Sequence, residues 1–166
     1  MAKTTTKSKT SSLNTGASAP DFTLQDPSEN SVSLKDFKGK WMVLYFYPKD
    51  NTPGCTVEAI DFTQELPDFK KLDAEILGVS PDSCKSHQKF IKGQKLKITL
   101  LSDPDHKMLE KYGVWQLKKF MGREYMGVVR STFLIDPKGK IAHLWSGVKV
   151  EGHADEVKTK LKELQK

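Results

Sequence analysis

The run Trp41-Met42-Val43-Leu44-Tyr45-Phe46-Tyr47 is apolar from end to end and stops at Pro48. A strand with one face in water alternates apolar and polar residues. A strand without alternation is buried on both faces, as in the middle of a sheet covered by helices. This segment therefore calls for a layered α/β structure around it. The stretch after Pro48 is equally restrictive. Beyond Pro53-Gly54, the residues Ala59, Phe62, Leu66 and Phe69 recur at intervals of three and four, the stripe of an amphipathic helix. At its first turn stands a lone thiol, Cys55.

The rest of the chain extends the pattern. Phe22–Leu24 and Val32–Leu34 flank a turn rich in Asp, Pro, Ser and Asn, which predicts a small N-terminal β-hairpin. Residues 74–80 read as a second strand, followed by the helix-start signal Ser80-Pro81-Asp82-Ser83-Cys84. Residues 98–103 are a third strand, with a short helix after Pro104. Residues 130–136 and 140–145 alternate around Asp136-Pro137-Lys138-Gly139 as an antiparallel hairpin. A last amphipathic helix carries Val157, Leu161 and Leu164 on one face. Strands joined by crossover helices run parallel, and the terminal hairpin adds antiparallel ones. The expectation is an α/β fold with a mixed central sheet and helices on both faces, the plan of thioredoxin-like proteins.

The chain has 166 residues, which suits one domain, expected over 17–166. Residues 1–16 hold Lys3, Lys7 and Lys9, half of the net charge of +6, with no acid and almost no apolar residue. Such a segment is expected to be a disordered, solvated tail. With no arginine and no aromatic, it does not read as a nucleic-acid-binding arm or an organellar transit peptide. No apolar run reaches membrane-spanning length and no secretory signal is evident, so no membrane partner is expected. Two cysteines fit a reducing compartment, most simply the cytoplasm. Four scattered His and two separated Cys offer no metal-site spacing, no glycine-rich phosphate loop is present, and no cofactor is implied.

Cys55 falls at the edge where parallel strands end and their helices begin, the edge at which sites gather. Unpaired N–H groups of a helix's first turn favour an anion, and one charge-assisted partner would complete the activation of a thiol. No His lies within ten positions of Cys55, and the only arginines are Arg123 and Arg130. Arg130 heads the 130–136 strand, and its permanently charged guanidinium suits both a thiolate and an oxygen-rich ligand. Spacing leaves open whether it reaches Cys55 or lies on the surface.

Pro48, Thr52 and Cys55 spell P-x-x-x-T-x-x-C, and the longer run Tyr47 to Ala59 stands with Ala19-Pro20-Asp21-Phe22-Thr23-Leu24, Gly78-Val79-Ser80-Pro81-Asp82-Ser83 and Arg130-Ser131-Thr132-Phe133-Leu134-Ile135-Asp136. In this combination, over about residues 17–165, the chain resembles the peroxiredoxins, in particular the bacterioferritin-comigratory, or Q-type, branch. The resemblance implies reduction of hydrogen peroxide or organic hydroperoxides by a cysteine thiol. Cys55 corresponds to the peroxidatic cysteine, oxidised to sulfenic acid as water or an alcohol departs. Thr52 corresponds to the residue whose hydroxyl bonds thiolate and peroxide, and it doubles as a helix N-cap. Pro48 corresponds to the residue that shields the thiolate, and Arg130 to the arginine that stabilises it and orients the peroxide. Glu58 matches a position that braces that arginine; a solvated helix glutamate is the alternative. The N–H groups of Gly54 and Cys55 are candidates to polarise the departing oxygen.

The pattern breaks at the resolving cysteine. The two positions at which Q-type members carry it correspond to Ile60 and Ile91. The remaining thiol is Cys84, at the first turn of the next helix on the same edge. Three outcomes stand open: a Cys55–Cys84 disulfide formed after a helix start unwinds, a one-cysteine cycle resolved by an external thiol, or an inert Cys84. His87 nearby reads as a surface or capping residue. The family further implies a thioredoxin- or glutaredoxin-like reductant and a monomer, with a dimer as the alternative. A redox sensor or relay using the same cysteine is the competing class.

Overall fold

The computed structural model describes residues 13–166. Residues 1–12, and with them most of the expected tail, lie outside the described residues. Its last four are placed: Leu13 packs against the core, and the Gly16 N–H donates to the Ile141 carbonyl at 2.7 Å.

Seven strands form one mixed sheet in the order β2-β1-β5-β4-β3-β8-β9. They are β1 (Thr23–Gln25), β2 (Ser31–Ser33), β3 (Trp41–Phe46), β4 (Ala74–Ser80), β5 (Thr99–Ser102), β8 (Ser131–Ile135) and β9 (Ile141–Ser146). The helices are α1 (Pro53–Lys71), α2 (Cys84–Gln94), α3 (Lys107–Lys111) and α4 (His153–Leu164). β3, β4 and β5 run parallel, because α1 and α2 cross over between them, while β8 returns antiparallel against β3. The N-terminal hairpin joins the sheet through Gln25 opposite Ser102.

The unbroken apolar run of β3 is explained by two cores. Val43, Tyr45 and Tyr47 point to one face, where α1, α2 and α4 pack through Phe62, Phe90 and Val157. Met42, Leu44 and Phe46 point to the other, against Met108, Leu109 and Tyr112. Every one of these residues from Met42 to Tyr47 is nearly fully buried. Leu164 departs from the expected stripe. It is the last residue of α4 and 37% exposed, so the core face of that helix ends at Leu161.

Residues 115–128, to which periodicity assigns no element, form a separate two-stranded ribbon of β6 (Trp115–Phe120) and β7 (Arg123–Val128). Leu117, Phe120, Met121, Tyr125 and Met126 on it are exposed. Beyond Val128 and Trp115, which meet the core at its base, the ribbon is largely exposed, so its residues have no reason to alternate, which hides it from pattern reading. β7 leads through Val129 into Arg130.

Candidate active site

α1 starts where β3 ends, and the local sequence sets that start. Thr52 occupies the N-cap with extended φ, Pro53 takes the first helical position, and Thr56 donates to the Thr52 carbonyl at 2.9 Å. The Thr52 side chain makes no capping bond. Its hydroxyl instead donates to the Lys49 carbonyl at 2.8 Å, which folds the loop back and leaves its oxygen lone pairs free to accept. Pro48 is half-buried at the loop's start. Gly54 and Cys55 follow in the first turn, where backbone N–H groups have no intrahelical partner.

The Cys55 side chain is buried, with 1% exposure. Arg130 Nη2 donates to its Sγ at 3.4 Å, and Nη1 donates to Glu58 Oε1 at 2.6 Å. The guanidinium thus bridges a thiol and a carboxylate one turn apart on α1. Antiparallel pairing of β8 with β3 brings it there, Phe46 opposite Ser131 setting the register. Gly54 makes the approach feasible, since a Cβ at that position would lie 3.2 Å from Nη2. The glycine before the thiol was the sequence signal for this close approach.

Glu58 is 1% exposed, so the solvated-glutamate alternative does not hold. Burial pushes its carboxyl up to about 7, against the pull of Arg130. Burial also opposes the charge on Arg130, but Glu58 and Cys55 beside it hold its proton more firmly than usual. The two shifts pull in different directions for the pair as a whole. With the carboxyl at about 7, Glu58 and Arg130 form an ion pair above that pH, and Arg130 alone is charged below it. Tyr45, whose hydroxyl is raised well above the phenol range by burial and then by Glu58 and Cys55, belongs to the same buried cluster as the thiol.

Cys84 is half-buried in the first turn of α2, capped by Ser83, which accepts from the Ser86 N–H at 3.1 Å. Its Sγ faces Gln25 Oε1 at 3.8 Å, toward β1. Burial pushes this thiol up, and Glu29 and Asp26 add to the push. The strand carrying Gln25 is separated from the one after Arg130 by β5, β4 and β3. Both cysteines are free. Ile60 and Ile91 pack, half-buried, against the core.

His87 corrects the expectation of a surface or capping residue. It is fully buried and bonds Asp50 and the Leu101 carbonyl. The signal was its spacing of three from Phe90, which puts it on the core face of α2. Asp50, its partner, has no place in the sequence expectations above, and Tyr47 figures there only as part of a buried strand. Among the described residues no cluster of His, Cys, Asp or Glu is placed to hold a metal, and no helix is long and apolar enough to cross a membrane.

Comparison with known proteins identifies the family. The AhpC/TSA family model matches residues 15–144. Peroxiredoxin Bcp of Bacillus subtilis is 50% identical over 149 residues, covering 90% of this chain and 95% of that protein. Peroxiredoxin Bcp of Escherichia coli K12 is 43% identical over 151 residues, covering 91% and 97%. The bacterioferritin comigratory protein of Xanthomonas campestris, studied for its alkyl peroxide reduction activity, superposes with a TM-score of 0.86 at 42% identity, over 93% of this chain and 98% of that one. The thioredoxin-like α/β fold with its buried thiol and the extent of these matches make this chain a member of the AhpC/TSA family, a peroxiredoxin of the Bcp, or Q, type that reduces peroxides with thiol reductants.

Proposed function

We propose that Cys55 is the peroxidatic residue and that its thiolate attacks the terminal oxygen of a hydroperoxide, R–O–O–H. The S–O bond forms as the O–O bond breaks. Cys55 leaves as sulfenic acid, and the RO⁻ group takes a proton from solvent to depart as alcohol, or as water when R is hydrogen. Arg130 holds the thiolate and the peroxide oxygens together, and Glu58 braces Arg130. Thr52 accepts from the peroxide hydroxyl, Pro48 keeps water from the sulfur, and the N–H groups of Gly54 and Cys55 polarise the departing oxygen. The single observation that carries the reading is the Arg130 bridge, 3.4 Å to Cys55 Sγ and 2.6 Å to Glu58 Oε1.

Organic hydroperoxides join hydrogen peroxide as substrates, an assignment supported by the activity of the Xanthomonas relative. In the second step the Cys84 thiol attacks the sulfenic sulfur and expels water, giving a Cys55–Cys84 disulfide. Because Cys84 faces Gln25 and Cys55 faces Arg130, the start of α1 or α2 unwinds for this step. A thioredoxin- or glutaredoxin-like dithiol then reduces the disulfide. The protein works as a monomer in the cytoplasm, a compartment that keeps its two thiols reduced.

The test is peroxide consumption with dithiothreitol by the wild type, Cys55→Ser and Cys84→Ser. Cys55→Ser is expected to lose turnover entirely, and Cys84→Ser to keep the first oxidation. Turnover that survives in Cys55→Ser removes the mechanism.

A further inference from the structure

The loop that delivers Cys55 hangs from a buried polar cluster with no role in the chemistry above. Asp50, 6% exposed, is its hub. Oδ1 accepts from the Tyr47 hydroxyl at 2.6 Å, and Oδ2 from the Ser86 hydroxyl at 2.7 Å and from His87 Nδ1 at 2.8 Å. The Asp50 N–H donates to Asp82 Oδ2 at 2.8 Å. His87 Nε2 lies 2.9 Å from the Leu101 carbonyl on β5. His87 Nδ1 lies against Asp50 and Nε2 against a backbone carbonyl, so the ring is held at both nitrogens. Burial works to raise Asp50, yet the bonds from His87 and Tyr47 hold it below the ordinary carboxylate range, as a carboxylate acceptor requires. A network buried this deeply and fully satisfied is rigid, and removing one member leaves the others unpaired.

Its placement gives that rigidity a use. Tyr47 and Asp50 lie on the segment between β3 and α1, whereas Asp82, Ser86 and His87 lie at the start of α2. Asn51 next to Asp50 takes a left-handed turn at φ 60°, so the loop has a defined shape for the cluster to fix. Cys55 comes five residues after Asp50, and Cys84 three before His87.

We infer that Asp50 and His87 are positioning residues: their buried pair fixes the Pro48–Thr52 loop at the thiol and fastens it to the first turn of α2. The fastening serves the two chemical steps in opposite ways. It holds Thr52, Pro48 and the start of α1 in place for the attack on peroxide. It also resists the unwinding that brings Cys84 to oxidised Cys55. The second effect rests on the reading of Cys84 as resolving residue; the first does not.

The experiment measures the second-order rate of Cys55 oxidation by hydrogen peroxide in a Cys84→Ser background, by rapid quench, alkylation and mass spectrometry. Asp50→Asn and His87→Gln are each expected to slow it about tenfold, and the double variant no more than either alone. Ser86→Ala, which removes a single donor at a half-buried position, is expected to slow it about twofold and serves if the other variants fail to fold. A merely structural cluster lowers the denaturation midpoint and leaves the rate of the folded protein unchanged. Unchanged rates, or losses that multiply in the double variant, overturn the inference. With Cys84 present, disulfide formation after oxidation is expected to be faster in Asp50→Asn than in the wild type, and an equal or slower rate overturns the fastening. If no disulfide forms in either protein, the Cys84 reading fails while the oxidation rates still decide the positioning claim.

Discussion

The chain contains the same local device twice. A parallel strand ends, a turn comes next, and a cysteine sits in the first turn of the next helix: Cys55 after β3 and Cys84 after β4. The helix-end N–H groups offer both sulfurs the same kind of stabilisation. Their neighbours differ in sign. Cys55 is buried against a guanidinium that is itself braced by a carboxylate, whereas Cys84 is half-buried, and burial first, then Glu29 and Asp26, push its thiol up. A helix start is thus a common platform, and burial together with the charge brought to it by distant segments sets the two thiols apart.

The comparison can be broken at several points. Replacing Arg130 by Gln should pull Cys55 toward the behaviour of Cys84, slowing its oxidation about 10²- to 10³-fold, as loss of one preorganised donor does in other enzymes. Stopped-flow measurement of oxidation checks this; a loss of less than about threefold would show that the helix start alone suffices.

Glu58→Gln addresses the brace through stability. The folded carboxyl sits at about 7, above the ordinary value of 4.5, so the native state holds an extra proton between those pH values. Its contribution to stability is therefore fully present below 4.5 and is lost as pH rises through 7. Urea unfolding should show the variant gaining on the wild type by about 3 kcal/mol, to order of magnitude, between pH 4.5 and 7.5. A difference that stays flat with pH would mean that Arg130 keeps Glu58 ionised throughout.

The smallest effect is at the other thiol. Glu29→Gln removes one acid near Cys84 and should speed its alkylation by about twofold, less in high salt. Alkylation that is unchanged at low salt would assign the sluggishness of Cys84 to burial alone.

Legibility in the sequence depends on where each interaction lives. The placement of Cys55 is local: an unbroken strand, Pro48, Pro53-Gly54 and a helical stripe specify it without any partner. Two strand spans are shifted by one residue, Phe22–Leu24 against Thr23–Gln25 and Val32–Leu34 against Ser31–Ser33, because Gln25 pairs with Ser102 of β5 and with Ser31 across the hairpin, and periodicity reports neither pairing. The reach of Arg130 is nonlocal. It spans 75 residues and depends on β8 lying beside β3, a strand order that no spacing reports. The burial of His87 runs against the sequence because a polar residue on an apolar stripe is ordinarily solvated; Asp50, 37 residues away, and the Leu101 carbonyl make it tolerable. The β6–β7 ribbon carries no pattern for the opposite reason, since little of it beyond Val128 and Trp115 meets the core.

The most direct test of the account adds one equivalent of hydrogen peroxide to the fully reduced protein and quenches within milliseconds with a sulfenic-acid trap and a thiol alkylator. Peptide mapping is predicted to find the trap on Cys55, with Cys84 alkylated at the earliest times and joined to Cys55 only later. Trap on Cys84 while Cys55 is still alkylated as a thiol would contradict the claim that the guanidinium, and not the helix start, selects the reactive sulfur.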